Sequence, residues 1–157
     1  MAEIIFRGIR LKDLAEIYSL GEKVFTLQQY PNLYRIWDES EVAEFFVNNR
    51  ESCFVAECEG KIVGFILSYV VNKARVRYGY LVWLCVDSDY EAKGVASQLF
   101  DEFKTYMKDK GIKNLFVDVE KSNHRALSFF RRKGFCEPKE QIYLTLYLDK
   151  GEEDEDK

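Results

Sequence analysis

The fold of this chain is decided by the stretch LVWLCVDSDYEAKGVASQL, residues 81–99. Its first six residues are apolar and rich in strand formers, and the run is too short for a helix of its own. Polar residues break the pattern at 87–89, and from Gly94 onward apolar side chains recur at helical spacing, at Val95, Leu99 and Phe103. The stretch therefore predicts a strand, a short turn and a helix.

The turn between this strand and this helix has the composition of an anion site. Small residues cluster there, at Ala92, Gly94, Ala96 and Ser97, and they allow a ligand to approach the backbone closely. The first N–H groups of a helix lack partners within the helix, and the positive end of the helix dipole lies beside them. We expect the turn to bind a diphosphate; the alternative is an ordinary strand-to-helix connection.

The hydrophobic pattern on both sides of this stretch predicts an α/β fold. We expect helices at 11–25, 38–49, 94–111 and 123–133, and strands at 4–10, 53–59, 61–71, 78–86, 115–119, 135–137 and 142–148. Glu59-Gly60 closes a hairpin, and Asp38 caps the second helix while Glu41 reaches back to it. The element order, β-α-α-β-β-β-α-β-α-β-β, predicts a central mixed sheet flanked by helices.

Length and charge indicate one globular domain. The 157 residues suit a single domain over 1–150, and residues 151–157, GEEDEDK, have the composition of a solvated, disordered tail. Much of the net charge of −4 lies in that tail, so the rest of the chain has no nucleic-acid footprint. No apolar run approaches the ~20 residues that span a bilayer, and no secretory signal is present, so we expect a cytoplasmic protein without a membrane partner.

The four cysteines predict no metal site. Cys53, Cys58, Cys85 and Cys136 show neither a CxxC motif nor a paired Cys/His spacing, so zinc is not expected. Three of them lie in apolar strand-like runs, where cysteine acts as a small hydrophobic residue. We expect structural roles for all four in a reducing compartment.

Two blocks of sequence carry a resemblance to a known family. The first is the strand with the turn EAKGVA at 91–96; the second is NHRA at 123–126, followed by two phenylalanines at 129–130 and by Gly134-Phe135. They resemble the Arg/Gln-x-x-Gly-x-Gly/Ala motif and the Asn-x-x-Ala block of the GNAT (Gcn5-related) N-acetyltransferases. Since both blocks lie at predicted strand–helix junctions and in the right order, the chain resembles that family over residues 4–148.

The resemblance implies a GNAT acyl-CoA N-acyltransferase fold with acetyl-CoA as co-substrate. In such a site, backbone N–H groups of the turn hold the CoA diphosphate, the preceding strand pairs with the pantetheine arm, and the asparagine of the second block contacts the same arm. The residues that this implies for acetyl-CoA binding are Leu84, Cys85, Val86, Glu91, Ala92, Lys93, Gly94, Val95, Ala96, Ser97, Asn123 and Phe130. For Asn123 the alternative is a simple helix cap.

The chain departs from the family pattern at two positions. Glu91 stands where the family carries Arg or Gln, and its charge should weaken diphosphate binding by less than about 1 kcal/mol, because water screens an exposed side chain. Lys93 offsets part of that change. Phe130 stands where many members carry the tyrosine that protonates the CoA thiolate, and phenylalanine has no proton to donate.

Three alternatives follow: water protonates the thiolate, which is a good leaving group at neutral pH, another side chain does so, or the chain does not catalyse. Asp118 lies five residues before Asn123, where protein-acetylating members carry Glu or His, and it is the best candidate for a general base. Tyr80 stands where some members that acetylate N-terminal amines carry a functional tyrosine, so it is a candidate proton donor. The alternatives are a solvated or salt-bridged Asp118 and a Tyr80 that only packs in the sheet.

The sequence says less about the roles of three aromatic residues and of the single histidine. Tyr30, Tyr34 and Trp37 either line the acceptor pocket, as the resemblance implies for that segment, or belong to the core. His124 opens a helix, where we expect it to be exposed. The resemblance is also compatible with a homodimer.

The predicted function is acetyl transfer from acetyl-CoA to a primary amine of a small molecule or peptide, by direct attack. Family members that acetylate protein N-termini often have a longer, tyrosine-bearing connection between the last two strands, whereas here it spans only 138–141, which favours a small amine. The alternative is a non-catalytic module that binds acetyl-CoA as a sensor or interaction subunit, suggested by Phe130 and Glu91. A dinucleotide-dependent oxidoreductase is disfavoured because no GxGxxG occurs early in the chain.

Overall fold

A computed structural model describes residues 2–25 and 35–149 of the chain. The described residues divide into two compact units, 2–120 and 121–149. The predictions made for Tyr30, Tyr34 and the acidic tail at 151–157 fall outside the described residues. In the part of the chain that the structure describes, no helix is long and apolar enough to cross a bilayer.

The first unit is a five-stranded mixed sheet with helices on both faces, and it confirms the predicted fold class. Its elements in chain order are β1 (Ile4–Gly8), α1 (Leu14–Val24), α2 (Glu39–Asn49), β2 (Phe54–Cys58), β3 (Lys61–Lys73), β4 (Val76–Val86), α3 (Val95–Asp109) and β5 (Leu115–Val117). The spatial order of the strands is β1-β2-β3-β4-β5. The first four are antiparallel to their neighbours, and β5 runs parallel to β4.

Local signals in the sequence explain the first hairpin and the start of α2. Glu59 and Gly60 both have positive φ, +52° and +78°, as a tight turn between β2 and β3 requires. Asp38 Oδ1 accepts a hydrogen bond of 2.8 Å from the Glu41 N–H, which confirms the predicted cap. The Glu41 carboxylate was expected to complete a capping box, but it accepts instead from Trp83 Nε1 at 2.9 Å. A buried indole N–H needs an acceptor, and Glu41 supplies it.

The two faces of the sheet bury different helices. Side chains of α1 and α2, among them Ile17 and Phe45, pack with Phe65 of β3 in one cluster. Successive strand residues point to opposite faces, so Gly64 faces α3. A Cβ on Gly64 would lie 3.1 Å from both Cys85 O and Leu99 Cδ1, so the missing side chain allows the first turns of α3 to pack tightly on the sheet. This contact sets α3 close to the end of β4.

A bulge in β4 and the shortness of β5 leave part of β4 open. Opposite β3, the register shifts so that Leu67 pairs with Trp83 and Ser68 with Leu81, which leaves Val82 as the extra residue. On the other side, β5 pairs with β4 only from Gly79 to Leu81. Among the described residues, no strand pairs with residues 82–86 on the side away from β3. The backbone groups of that segment therefore face a gap in the strand pairing of the sheet.

The second unit contains one helix, α4 (His124–Arg132). Asn123 caps it by accepting a 3.2 Å hydrogen bond from the Ala126 N–H, and Gly134 follows its end with φ +100°. The strands predicted at 135–137 and 142–148 are wrong, because this stretch contains no strand. Glu137 has a positive φ of +58°, which interrupts an extended run. The alternating side chains stay 79–91% exposed at Ile142, Leu144, Leu146 and Leu148.

Candidate active site

The turn after β4 is ordered by one buried carboxylate. Asp87 is 8% exposed, its N–H donates to Val63 O at 2.8 Å, and its Oδ1 accepts from the Asp89 N–H at 3.0 Å. Lys61 Nζ lies 4.0 Å from the second oxygen of the same carboxylate. These contacts fix the chain direction from the end of β4 towards α3.

The start of α3 has the geometry of an anion site. Gly94 precedes the helix with φ +77°, and it has no side chain that could cap the first N–H groups. A Cβ built on Gly94 would meet no atom within 4 Å, so the space in front of the helix is open. The first turn contains no acidic residue. The backbone N–H groups of Val95, Ala96 and Ser97 are therefore available for a phosphate group.

The open segment of β4 offers a second set of backbone groups. Leu84, Cys85 and Val86 pair with β3 along one edge, and their other edge faces the gap beyond the end of β5. An extended ligand with amide groups, such as the pantetheine arm, can add to such an edge as a strand does. The edge leads into the turn before α3, so the two backbone features follow each other directly along the chain.

The two catalytic candidates, Tyr80 and Asp118, meet where β4 and β5 separate. The Tyr80 hydroxyl donates a hydrogen bond to Asp118 Oδ1. Tyr80 lies opposite Phe116 in the β4–β5 ladder, and Asp118 follows Phe116 by two residues on the same face. The Tyr80 ring stacks on Tyr69 with centroids 5.4 Å apart and planes 3° apart. The sequence singled out both residues separately but did not predict that they bond to each other.

One charged residue at this place was missed in the sequence. The Arg35 guanidinium carbon lies 5.4 Å from the centroid of the Tyr80 ring, within the range of a cation–π contact. Arg35 precedes α2, and 45 positions of sequence separate it from Tyr80. Nothing in its local sequence pattern signals a contact with β4.

Two buried thiols, Cys85 and Cys53, have raised pKa values. Burial, with the nearby charges of Asp87 and Glu91, raises the pKa of the Cys85 thiol to about 12. Burial also raises the pKa of Cys53 to about 12, against smaller opposing hydrogen bonds. Both thiols therefore stay protonated at neutral pH, and only a thiolate attacks efficiently. Among the described residues, no group of His, Cys, Asp or Glu is arranged to hold a metal ion.

Asn123, Phe130 and His124 belong to the second unit. Asn123 caps α4, which is the alternative role considered for it. Phe130 is buried, with ring centroids 5.2 Å from Phe129 and 5.5 Å from Phe135. His124 is exposed, as predicted.

Of the aromatic residues predicted to line the acceptor pocket or the core, Trp37 belongs to the core in this structure. Its ring stacks on Phe65 at 5.4 Å, and its Nε1–H donates to Tyr18 O at 3.0 Å. It also contacts Trp83, whose centroid lies 5.0 Å away. The aromatic cluster thereby ties the segment before α2 to β4.

The open backbone edge of β4 and the glycine-led start of α3 are the features expected of an acyl-CoA-dependent N-acyltransferase. The sequence profile described as the Acetyltransferase (GNAT) family matches residues 14–135, and the chain belongs to this family. It is an acetyl-CoA-dependent N-acetyltransferase.

Individual relatives are distant. N-alpha-acetyltransferase 30 of Schizosaccharomyces pombe is 26% identical over 126 residues, which cover 80% of this chain and 71% of that protein. N-alpha-acetyltransferase MAK3 of Arabidopsis thaliana is 32% identical over 94 residues, which cover 60% of this chain and 50% of that protein. A crystal structure of the NatC complex bound to Gag peptide and CoA superposes with a TM-score of 0.74 at 20% identity, over 87% of both chains. At that identity the superposition shows a common fold.

Proposed function

We propose that this protein transfers the acetyl group of acetyl-CoA to the α-amine at the N-terminus of a peptide or protein. The observation that carries the proposal is the Tyr80–Asp118 hydrogen bond at the mouth of the open β4 edge. Two of the similar proteins are N-alpha-acetyltransferases, which supports an α-amine as the acceptor. The short 138–141 connection no longer favours a small amine, because the strands that it was expected to join are not formed.

In this proposal the backbone positions acetyl-CoA. The N–H groups from Ala92 to Ser97 receive the diphosphate, and the edge formed by Leu84, Cys85 and Val86 pairs with the pantetheine arm. The roles proposed for Asn123 and Phe130 are contacts with the same co-substrate. Because the backbone groups of β4 and of the start of α3 are fixed by the sheet and by the helix, the thioester is held in place before the amine arrives.

The Tyr80–Asp118 pair would carry the protons. The neutral amine attacks the thioester carbonyl carbon, a C–N bond forms, and the nitrogen becomes positively charged. Asp118 takes one proton from that nitrogen. When the tetrahedral intermediate collapses, the C–S bond breaks and Tyr80 gives its proton to the departing thiolate. The proton on Asp118 then passes to the Tyr80 oxygen along their hydrogen bond, so the pair returns to its starting state.

This relay accounts for the absence of a tyrosine at position 130. Phe130 packs among aromatic rings and has no proton to give. A donor on β4 removes the need for one on α4. The relay also needs no covalent enzyme intermediate, in agreement with the protonated thiols of Cys53 and Cys85.

The test is mass spectrometry of peptide mixtures incubated with the protein and acetyl-CoA. The mixture contains peptides with free α-amines and varied first residues, matched peptides with blocked α-amines and a free lysine, and a set of small amines. We expect an added acetyl group on α-amines of free peptides. Acetylation of small amines alone would overturn the proposed acceptor, and acetyl-CoA binding with no product in any class would favour a sensor instead.

A further inference from the structure

We infer that Arg35 is a positioning residue of the active site, which acts through Tyr80. The inference rests on the proposed function, because it assigns a partner to the proposed proton donor. Its basis is the guanidinium of Arg35 over the ring whose hydroxyl donates to Asp118. Arg35 is half-buried, so water screens its charge less than that of an exposed arginine.

The charges around Tyr80 explain why a cation is useful there. Among the described residues, the ionisable side chains in contact with it include Asp118 beyond β5, Tyr69 on β3 and Arg35 before α2. Before the amine proton is taken up, the Asp118 carboxylate opposes any loss of the Tyr80 proton, since a second negative charge would form beside it. Once Asp118 has taken the amine proton, Tyr80 gives its own proton to the thiolate, and the positive charge of Arg35 stabilises the negative charge on the phenol oxygen. Arg35 thereby lets Tyr80 donate its proton without losing its bond to Asp118.

Arg35 also restricts the orientation of the ring. Tyr69 stacks on Tyr80 with nearly parallel planes, and the Arg35 guanidinium lies over the same ring within cation–π range. A ring held by these two contacts keeps its hydroxyl aimed at Asp118. A lysine at position 35 would keep the charge but lose the planar contact, whereas a methionine would lose the charge and keep much of the volume.

The chain supplies a matched control for this arginine. Arg50 lies over the ring of Phe46, with its guanidinium carbon 4.7 Å from the centroid. That pair has the same chemistry, but its ring has no hydroxyl. Arg50→Met therefore removes an arginine–aromatic contact without touching a proton donor.

The experiment compares Arg35→Met, Arg35→Lys and Arg50→Met with the unmodified protein. We expect Arg35→Met to lower kcat about tenfold, with an unchanged KM for acetyl-CoA, and Arg35→Lys to recover part of the loss. Arg50→Met should keep the full kcat. In a Tyr80→Phe background the effect of Arg35→Met should vanish, because both changes act on one group. Equal losses in both backgrounds, or an equal loss in Arg50→Met, would overturn the inference.

A second readout does not depend on turnover. The titration of the Tyr80 phenol, followed through the carbon-13 signal of its Cζ, should move to higher pH by about one unit in Arg35→Met and stay near its original position in Arg35→Lys. An unchanged titration in a folded Arg35→Met would overturn the inference even if the protein acetylates peptides. A shifted titration in a protein that acetylates no amine would overturn only the proposed function.

Discussion

At one end of the open segment of β4, the polar groups that face the gap belong to the backbone. They come from Leu84 to Val86 and from the first turn of α3. At the other end, where β5 begins to pair, the polar groups belong to two side chains, Tyr80 and Asp118. The two regions meet on β4, where Tyr80 and Leu84 are only a few residues apart.

This difference predicts which amino-acid substitutions each region tolerates. Backbone groups remain when a side chain is replaced, so the first region should tolerate most substitutions that leave its φ angles and open space intact. A substitution removes the functional group of a side chain, so the second region should lose catalysis even when Tyr80 or Asp118 is replaced by a residue of nearly the same shape. Binding and chemistry should therefore be separable by mutation.

The largest expected effect comes from filling the backbone region. Gly94→Glu places a charged side chain in the open space before α3, and we expect acetyl-CoA binding to fall beyond detection by calorimetry. Gly94→Ala is the control: it shares the strain of φ +77°, about 1 kcal/mol, but adds only a methyl group. We expect Gly94→Ala to bind acetyl-CoA and Gly94→Glu not to bind it. Thermal denaturation should show a cooperative unfolding transition for both variants, so that both are known to be folded. An unchanged affinity of Gly94→Glu for acetyl-CoA would show that the diphosphate does not bind at the start of α3.

The next effect comes from the side-chain region. Tyr80→Phe and Asp118→Asn should each lower kcat about a hundredfold, as expected for loss of one general acid or base. The double variant should be little slower than either single variant, because the two residues act as one unit. For Asp118→Asn the deficit should narrow at alkaline pH, where hydroxide takes over proton removal. A pH–rate profile measures this, and full activity of Asp118→Asn at every pH would clear Asp118 of the role.

A smaller effect is expected where a side chain borders the backbone region. Glu91 is exposed at the turn, and Glu91→Gln should tighten acetyl-CoA binding by a few-fold, which is less than about 1 kcal/mol. The gain should shrink as salt concentration rises, because the effect is a screened repulsion. Calorimetric titrations at low and high salt measure it. A large gain, or one that salt leaves unchanged, would mean that Glu91 acts by contact rather than by charge.

The smallest effect concerns the thiols. Because the raised pKa of Cys85 and Cys53 lies near 12, both thiols stay neutral well above pH 8, and burial shields them further. Iodoacetamide at pH 8 should modify the exposed Cys136 in the folded protein and the three buried cysteines only after unfolding. Peptide mapping gives the sites. Rapid modification of Cys85 in the folded protein would contradict a closed environment on that face of β4.

The sequence predicted the backbone region better than the side-chain region, for a physical reason. The turn at Glu59-Gly60, the cap at Asp38 and the strand–turn–helix around Gly94 are local features, set by residues that are neighbours in the chain. Tyr80 and Asp118 were identified by their positions relative to family motifs, but their hydrogen bond joins residues 38 positions apart.

Contacts between distant residues also explain what was missed or wrong. The placement of Arg35 over Tyr80 and the use of Glu41 as the acceptor for Trp83 depend on how α2 packs on β4. The alternation at 142–148 satisfied the pattern of a strand, but a strand also needs a neighbour to bond with, and the pattern contains no information about that neighbour. Local patterns thus predicted the elements, and packing determined their side-chain partners.

The separation of binding from chemistry is tested most directly by calorimetric titration of acetyl-CoA into the Tyr80→Phe/Asp118→Asn double variant. If backbone groups bind the co-substrate and the two side chains only move protons, the double variant should bind acetyl-CoA with the affinity of the unmodified protein while its turnover is nearly lost. A double variant that stays folded but no longer binds acetyl-CoA would contradict the account, because the two side chains would then be part of the binding site.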